Sequence, residues 1–355
     1  MAFRPILLAF VCLAFLGAQP PSLDTLRKEG AWKQVQARIS GWYASNPQDP
    51  YAQLWMSRVK VAFGDLDGGL DLARKAAVAK PGDADIQAQL ALCAGQQAGR
   101  EESWARKLSL ARELRKAAEA ALAVNPGHPE ASEVMLMYDL NAPFFLGGSV
   151  DKAQALAEQV GRIDAPRGLL LQAKIALHRK DKAGAASLLN RALALDPADY
   201  DALLLLAVLP LLDRPQNLDQ ALGTYRRAVA VRPTGVLAHN QIAAILAEQG
   251  KWAELDRELA DAKRRLPDNL APWYAAASNL IAENKHLDHA EPLLRTYLSQ
   301  PPEGGSPSGA QAHWRLGQLL ERLGRPKEAL VEYRATLDLA PGYKPALAAL
   351  ARVKD

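Results

Sequence analysis

The chain has 355 residues, of which 49% are hydrophobic and 23% are charged, so it can bury a continuous core and is not of disordered composition. Its 43 Lys and Arg against 39 Asp and Glu leave a net charge of +4. This net positive charge is too small for the basic surface that a nucleic-acid-binding protein needs. The two cysteines, Cys12 and Cys93, provide neither a disulfide framework nor a zinc-binding set.

The first residues have the pattern of an export signal. A short positive start that includes Arg4 precedes an apolar run of 13 residues, Ile6 to Ala18. This run is shorter than the roughly 20 residues that a membrane-spanning helix needs. We therefore expect residues 1–18 to be a signal peptide cleaved after Ala18, with export to the periplasm or the extracellular space. The alternative is that residues 6–18 stay uncleaved and anchor the chain in the membrane.

A proline recurs at the end of successive amphipathic segments along the chain, at Pro47, Pro81, Pro126, Pro166, Pro197, Pro233, Pro267, Pro301 and Pro341. Three of the eight intervals are 34 residues. Proline stops a helix because it lacks the amide hydrogen and disfavours helix at the residue before it. The recurrence therefore predicts an array of helical units, each closed by a proline.

We predict the following organisation in chain order. A partial unit covers 22–49, eight fuller units cover 50–83, 84–128, 129–165, 166–199, 200–235, 236–270, 271–304 and 310–343, and a capping helix covers 344–355. The unit 84–128 carries an insert and a long second helix from about Ser103 to Val124, and the unit 129–165 is interrupted by a loop over 141–149. Glycine, serine and proline at 304–309 predict a flexible loop. In the capping helix, Leu347, Leu350 and Val353 are expected to form the apolar face.

The last unit has the clearest pattern. Leu316-Gly317, Leu320, Gly324, Ala329, Tyr333, Thr336 and Pro341 stand at places 7, 8, 11, 15, 20, 24, 27 and 32 of the 34 residues from Ala310 to Tyr343. This pattern resembles the tetratricopeptide repeat family, and His313 departs from it where the family prefers tryptophan. Gly317 is expected opposite Ala329, where two helices approach closely. The resemblance implies an all-α, right-handed α–α superhelix of about eight to nine helix pairs.

The resemblance also implies a binding groove. In the family, the second, fifth, ninth and twelfth places of each unit face the concave side, which the first helix of each pair lines. Here these places include Leu54, Leu92, Leu140, Leu204 and Gln311. The residues predicted to bind a partner are Tyr51, Arg58, Met137, Leu170, Lys174, Asn240, Asn279, Trp314 and Gln318. An apolar middle with an amide-lined end suits a helical or extended peptide, and Trp314 is the predicted anchor unless it packs between helices.

Sequence motifs of catalysis are missing. There is no phosphate-binding Gly-Lys-Ser/Thr loop, no Cys-x-x-Cys, no His-Glu-x-x-His and no Gly-x-Ser-x-Gly. His286 and His289 have the spacing of metal ligands, but polar residues are common in a turn between repeat helices. We therefore expect no catalytic residue, no metal site and no cofactor.

The sequence thus predicts a non-catalytic protein–protein interaction scaffold or adaptor of the cell envelope or exterior. A protein or peptide partner of unknown identity would bind in the concave groove, and no nucleic acid is expected. The alternatives are a helical-toroid enzyme such as a glycosidase and a structural subunit of a larger envelope assembly. A third alternative, RNA binding by a related repeat, is disfavoured by the small charge surplus.

Overall fold

A computed structural model describes residues 22–213 and 215–353, without the side chain of Val353. The predicted signal peptide lies outside these residues. Within them the chain forms nineteen α-helices and no strand. The prediction of an all-α solenoid of helix pairs is confirmed. None of the described helices is both long and apolar enough to cross a lipid bilayer.

The helices in chain order are α1 (Leu23–Lys28), α2 (Trp32–Ser45), α3 (Pro50–Ala62), α4 (Leu66–Ala79), α5 (Ala84–Arg100), α6 (Trp104–Val124), α7 (Pro129–Asn141), α8 (Val150–Ile163), α9 (Ala165–His178), α10 (Lys182–Leu195), α11 (Tyr200–Val208), α12 (Leu218–Val231), α13 (Val236–Glu248), α14 (Trp252–Arg265), α15 (Ala271–Glu283), α16 (Leu287–Tyr297), α17 (Gly309–Arg322), α18 (Pro326–Leu339) and α19 (Lys344–Val353). Short 3-10 helices cover Phe144–Leu146 and Leu209–Leu212.

Aspartate residues start several of the first helices. Asp49, Asp83, Asp164 and Asp199 each accept a hydrogen bond from a backbone N–H in the first turn of the helix that follows. A carboxylate at this place satisfies an amide that has no partner within the helix and also favours the positive end of the helix dipole. These caps fix where each first helix begins.

Each first helix from α3 to α17 packs on the second helix of its own unit. Several of them, α3, α5, α7, α13 and α15, also pack on the first helix of the next unit. Tyr225, Tyr297 and Tyr333 fill the core of three C-terminal units and are at most 2% exposed. Gly317 faces the ring of Tyr333, since a Cβ atom at this glycine would lie 2.3 Å from that ring. The tightest contact of the glycine is therefore with the aromatic ring of Tyr333, and Ala329 is buried as well, at 0% exposure.

The chain folds back so that its first unit touches its last third. The backbone N–H of Lys33 donates to Glu303 Oε1 at 2.7 Å, and the N–H of Gly305 donates to the carbonyl of Ala62 at 2.7 Å. Gly304 lies directly against the side chain of Trp32. We call this contact, of residues 301–306 with α2 and the end of α3, the clasp. The stretch predicted to be a flexible loop thus includes Gly304 and Gly305, which connect the segment between α16 and α17 to the N-terminal helices α2 and α3.

The capping helix packs against the core through the predicted Leu350 but not through the predicted Leu347, and the side chain of Val353 lies outside the described part. Ala346 and Ala349 are buried, at 0% and 3% exposure, and Leu350 packs against the core. Leu347 is 48% exposed and therefore does not belong to the buried face. The small alanines allow α19 to lie closer to α18 than a leucine at their places would permit.

Candidate functional site

A pocket of about 490 Å³ opens on the side of the array that the first helices line. Its walls come from four successive first helices, α5, α7, α9 and α11. We call it the concave pocket. Its lining residues are Leu92, Glu130, Glu133, Val134, Arg167, Lys174, Asp201, Leu204, Leu205 and Val208.

Helical spacing brings the pocket residues together. On α11, Asp201, Leu204, Leu205 and Val208 follow the i, i+3, i+4, i+7 pattern that places side chains on one face of a helix. On α7, Glu130, Glu133 and Val134 follow the same pattern, and Met137 is its next member. Met137 is 47% exposed.

Charged pairs cross the pocket between neighbouring helices. Lys174 Nζ lies 2.5 Å from Glu133 Oε1, and Arg167 lies within 4 Å of both Glu133 and Asp201. Arg167 also donates to the carbonyl of Pro129 at 2.9 Å. The pocket is therefore apolar at the leucines and valines and carries fixed charges of both signs beside them.

A second cluster of charges lies beside the pocket. Arg58, which is 7% exposed, lies 3.6 Å from Glu130 and 3.8 Å from Asp85, with its guanidinium 4.7 Å from the centre of the Trp55 ring. Burial lowers the pKa of Arg58, and Glu130 opposes that effect. The hydrogen bond from His128 lowers the pKa of Asp85. Arg27 on α1 reaches the same Glu130 at 2.6 Å, so the N-terminal helix closes one side of this cluster.

Asp85, His128 and Glu130 are the one group in the described part of the chain whose atoms are close enough to share a metal ion, within 4.8 Å of one another. Their hydrogen bonds do not fit that role. His128 Nδ1 accepts the N–H of Ala131 at 3.2 Å, so the proton of the neutral ring is on Nε2, which donates to Asp85. Nε2 then has no lone pair for a metal. The carboxylate of Glu130 is already paired with Arg27 and Arg58.

His286 and His289, which have the spacing of metal ligands, both pack against the ring of Trp252. His289 stacks on Trp252 with ring centres 3.8 Å apart, and His286 meets the same ring edge-on at 5.2 Å. The two imidazoles are 6.4 Å apart between ring centres. These contacts give a packing role to His286, at the N-terminal end of α16, and to His289, in the first turn of that helix.

Three of the predicted partner-binding residues lie at or beside the concave pocket. Lys174 lines it, Met137 extends the α7 stripe, and Arg58 belongs to the adjoining charge cluster. Leu92 and Leu204, also expected to face the groove, line the pocket. Tyr51 is more distant. It is 38% exposed, donates to Asp83 at 3.0 Å and has Lys80 above its ring.

Leu170 does not face the groove. It is 1% exposed and belongs to the main hydrophobic core, so a partner cannot reach it. Leu54 and Leu140 are also buried, at 3% and 9% exposure. These leucines fill the contacts between neighbouring helices, where apolar residues at helical spacing are usually found.

The four C-terminal residues predicted to bind a partner are tied into the array itself. Trp314 is half-buried against Tyr333 and Tyr343, with ring centres 5.0 and 5.8 Å away. Gln318 accepts a hydrogen bond from Arg315 at 3.2 Å. Trp314 therefore packs mainly between helices, which was the alternative considered for it.

The two asparagines lie between first helices. Asn279 donates to the carbonyl of Ala244 and to Glu248, at 3.2 and 3.1 Å. Asn240 is half-buried, and its Oδ1 accepts no hydrogen bond within the described residues. This oxygen is itself buried, so it is not exposed to a partner in this conformation.

The pocket residues that the sequence prediction did not name are Glu130, Glu133, Val134, Arg167, Asp201, Leu205 and Val208. On α7 and α11, residues at the second, fifth, sixth and ninth places of the unit form the concave stripe. The sixth place is not among those that the family resemblance assigns to the groove. The i, i+3, i+4, i+7 pattern was visible in the sequence and would have identified the sixth place. The twelfth place, represented by Leu140, is instead buried.

Comparison with known proteins links the C-terminal units to a known family. The sequence model of the tetratricopeptide repeat family matches residues 274–344. No curated protein matches the chain. Members of this family generally bind protein partners, and the fold is consistent with a protein–protein interaction scaffold.

Solved structures with helix-pair arrays resemble the whole chain or half of it. A thermophilic TPR protein of Thermus thermophilus is 20% identical, covers 54% of this chain and 96% of its own, and has a TM-score of 0.46. Yeast Tom70 is 14% identical, with coverages of 94% and 95% and a TM-score of 0.40. A tetratricopeptide repeat protein from Parabacteroides merdae is 13% identical, with coverages of 86% and 99% and a TM-score of 0.41.

Proposed function

We propose that the protein is a non-catalytic scaffold that binds a segment of a partner protein in the concave pocket. The main support is the pocket itself, where Val134, Leu204, Leu205 and Val208 form an accessible apolar surface between charged pairs. Apolar side chains of a partner would be buried against this surface, and its polar groups would meet Lys174, Glu133 and Arg167. A helical or extended segment with apolar anchors and charges of both signs fits this chemistry.

The ionic contacts of the pocket favour binding over catalysis. Glycosidase chemistry needs two carboxyl groups that can act on a bond between them. Glu130, Glu133 and Asp201 each lie within 4 Å of an arginine or lysine, which occupies the carboxylate. The carboxyl group of Asp139, whose pKa burial raises to about 6, does not line the pocket.

We further propose that the protein works in the cell envelope or outside the cell, on the basis of residues 1–18. N-terminal sequencing of the protein from its native host is expected to begin at Gln19. A chain that still begins at Met1 in the membrane fraction would favour the anchor formed by residues 6–18.

Partner capture by cross-linking and mass spectrometry tests the binding proposal. Met137→Glu places a charge on the concave stripe, and we expect it to weaken partner binding by about ten- to a hundredfold. Lys174→Glu reverses one charge of the pair with Glu133 and should also weaken binding.

Leu195→Glu is the matched control. Leu195 lies on the second helix α10 and is 60% exposed, compared with 47% for Met137. Equal loss of the partner in the Met137 and Leu195 variants, with both still folded by circular dichroism, would contradict binding in the concave pocket.

A further inference from the structure

A second surface, away from the concave pocket, combines exposed aromatic side chains with a cluster of cations. It consists of α6 and the turn between α7 and α8. We call it the aromatic–basic face, and its residues are Trp104, Arg112, Arg115, Lys116, Phe144 and Phe145. None of these residues lines the concave pocket.

The aromatic side chains of this face project into solvent. Phe144 is 87% exposed, Phe145 61% and Trp104 61%. The two phenylalanine rings touch edge to face, with centres 5.8 Å apart. Trp104 precedes Arg115 by 11 residues, about three helical turns, so both lie on the same side of α6. Exposed aromatic rings next to one another generally mark an interaction surface.

The turn that carries the phenylalanines is held in place by hydrogen bonds that its carbonyl groups accept from side chains. Tyr138 donates its hydroxyl to the carbonyl of Leu146 at 2.7 Å, and Arg115 donates to the same oxygen at 3.2 Å. Lys152 donates to the carbonyl of Gly147 at 2.9 Å. Gly147 has a φ of 88°, and Gly148 has no room for a Cβ beside the carbonyl of Ala142. These contacts fix the backbone of the turn directly after the two phenylalanines.

Positive charge surrounds the rings. A hollow of about 410 Å³ beside Phe144 and Phe145 is lined by Arg112, Arg115 and Lys116 and by one carboxylate, Glu119. Glu119 is paired with Arg115 at 2.8 Å. Arg112 and Lys116 are exposed and have no carboxylate within 4 Å in the described residues. The face thus has cations available for an anionic partner.

We propose that the aromatic–basic face docks the protein on an anionic lipid bilayer. Phe144, Phe145 and Trp104 would enter the interface between head groups and acyl chains, where aromatic rings are favoured. Arg112 and Lys116 would contact the anionic head groups. Phe144 and Phe145 are 87% and 61% exposed, which suits entry into a broad, deformable surface better than contact with a rigid folded partner. Docking in this way leaves the concave pocket free to bind its partner.

Vesicle co-sedimentation of the full chain tests the proposal. We expect binding to vesicles that contain phosphatidylglycerol in phosphatidylcholine, weak binding to phosphatidylcholine alone, and weaker binding as salt is raised. Phe144→Ser with Phe145→Ser should lower the partition coefficient about tenfold or more, because burial of two aromatic side chains is lost. Arg112→Glu with Lys116→Glu should abolish the preference for phosphatidylglycerol.

Two double variants are matched controls. Ile163→Ser with Leu195→Ser removes apolar side chains of 61% and 60% exposure on α8 and α10. Arg191→Glu with Arg334→Glu reverses two exposed cations on α10 and α18. Both controls should bind vesicles like the native chain. All of these proteins carry the same residues 6–18, so differences between them report on the aromatic–basic face alone.

Hydrogen exchange locates the contact. Anionic vesicles should slow exchange in residues 141–149 and 104–116 of the native chain. Absence of binding, or equal binding by the Phe144/Phe145 variant and its control, overturns the proposal. Protection elsewhere with none in these segments overturns it as well.

Discussion

Asp139 is a buried carboxyl group without a hydrogen-bond partner for its Oδ1 within the described residues. It is 4% exposed, and burial raises its pKa from 3.8 to about 6, although Lys152 and Arg115 oppose the rise. Between about pH 4 and 6 the folded chain therefore holds a proton that the unfolded chain has released. Stability is expected to fall as pH rises through this interval, and the charged carboxylate is destabilising at pH 7.

We predict that Asp139→Asn stabilises the protein at pH 7 by up to about 3 kcal/mol, since a tenfold change in an acid constant corresponds to about 1.4 kcal/mol. Denaturant unfolding at pH 7 and at pH 4 measures this, and the gain should disappear at pH 4. A gain of the same size at both values of pH would show that the charge of Asp139 is not its cause.

His239 is also buried but, unlike Asp139, has a hydrogen-bond partner at each of its polar side-chain atoms. It is 0% exposed, and its Nδ1 lies 2.5 Å from Glu258 while its Nε2 lies 3.0 Å from the carbonyl of Pro233. Burial acts to lower the pKa of His239, but the hydrogen bonds to these acceptors outweigh it and the pKa is raised. The stabilisation is therefore complete below the ordinary pKa of about 6.5 and is lost as pH rises through the raised value.

We predict that Glu258→Gln destabilises the protein by about 1.5–3 kcal/mol at pH 6 and by less at pH 9, because hydrogen bonds to a charged group lie in this range. Thermal unfolding at the two values of pH measures the difference. Glu332→Gln is a matched variant, since Glu332 pairs with His313, which is 26% exposed. Its effect should be smaller, and an equal effect would contradict the role of burial.

Among the elements, the clasp depends on a glycine that no local pattern singles out. Gly304 has no room for a side chain, since a Cβ there would lie 2.5 Å from Trp32 Cβ. Glu303 is 3% exposed, and burial raises its pKa. Its carboxylate nevertheless accepts a hydrogen bond from the backbone N–H of Lys33, which is 270 residues away in the sequence. Contacts this distant in the chain are set by how tightly the array winds.

We predict that Gly304→Leu separates the clasp and destabilises the protein by about 1–3 kcal/mol through overpacking. The radius of gyration in small-angle scattering should increase, and hydrogen exchange in α1 and α2 should become faster. Gly342→Leu is the control, because Gly342 has nothing within 4 Å of its Cβ position. An unchanged radius of gyration in the Gly304 variant would mean that the clasp does not hold α2 and α3 against residues 301–306.

Predictions from the sequence were best where local signals determine the structure. Proline spacing and helical periodicity identified the all-α architecture, and a helix occurs over Trp104–Val124, where a long one was expected from about Ser103. They were weakest where a side chain faces a neighbouring unit. Leu170 and Met137 are both apolar residues of first helices, yet one is 1% and the other 47% exposed. That difference depends on the rotation of each helix against its neighbours, which propensities do not specify.

At the scale of the whole molecule, the fold separates two surfaces. The first helices line the concave pocket, and α6 with the 141–149 turn carries the aromatic–basic face. The clasp joins α2 and α3 to the segment between α16 and α17, and Arg27 connects α1 to Glu130 of α7. The pocket itself lies between four successive units, and one of its lining residues, Glu130, is held by the N-terminal helix. A partner segment would enter a groove whose shape is already formed, which lowers the entropy cost of binding.

Site-specific photo-cross-linking is the most direct test of binding in the concave pocket. A photoreactive amino acid is placed at position 137 on the concave stripe and, in a separate protein, at position 195 on α10. Both are expressed in the native host. If the partner binds in the concave pocket, it cross-links from position 137 and not from position 195. A partner that cross-links from position 195 alone, or that stays bound without cross-linking from position 137, would contradict binding in the concave pocket.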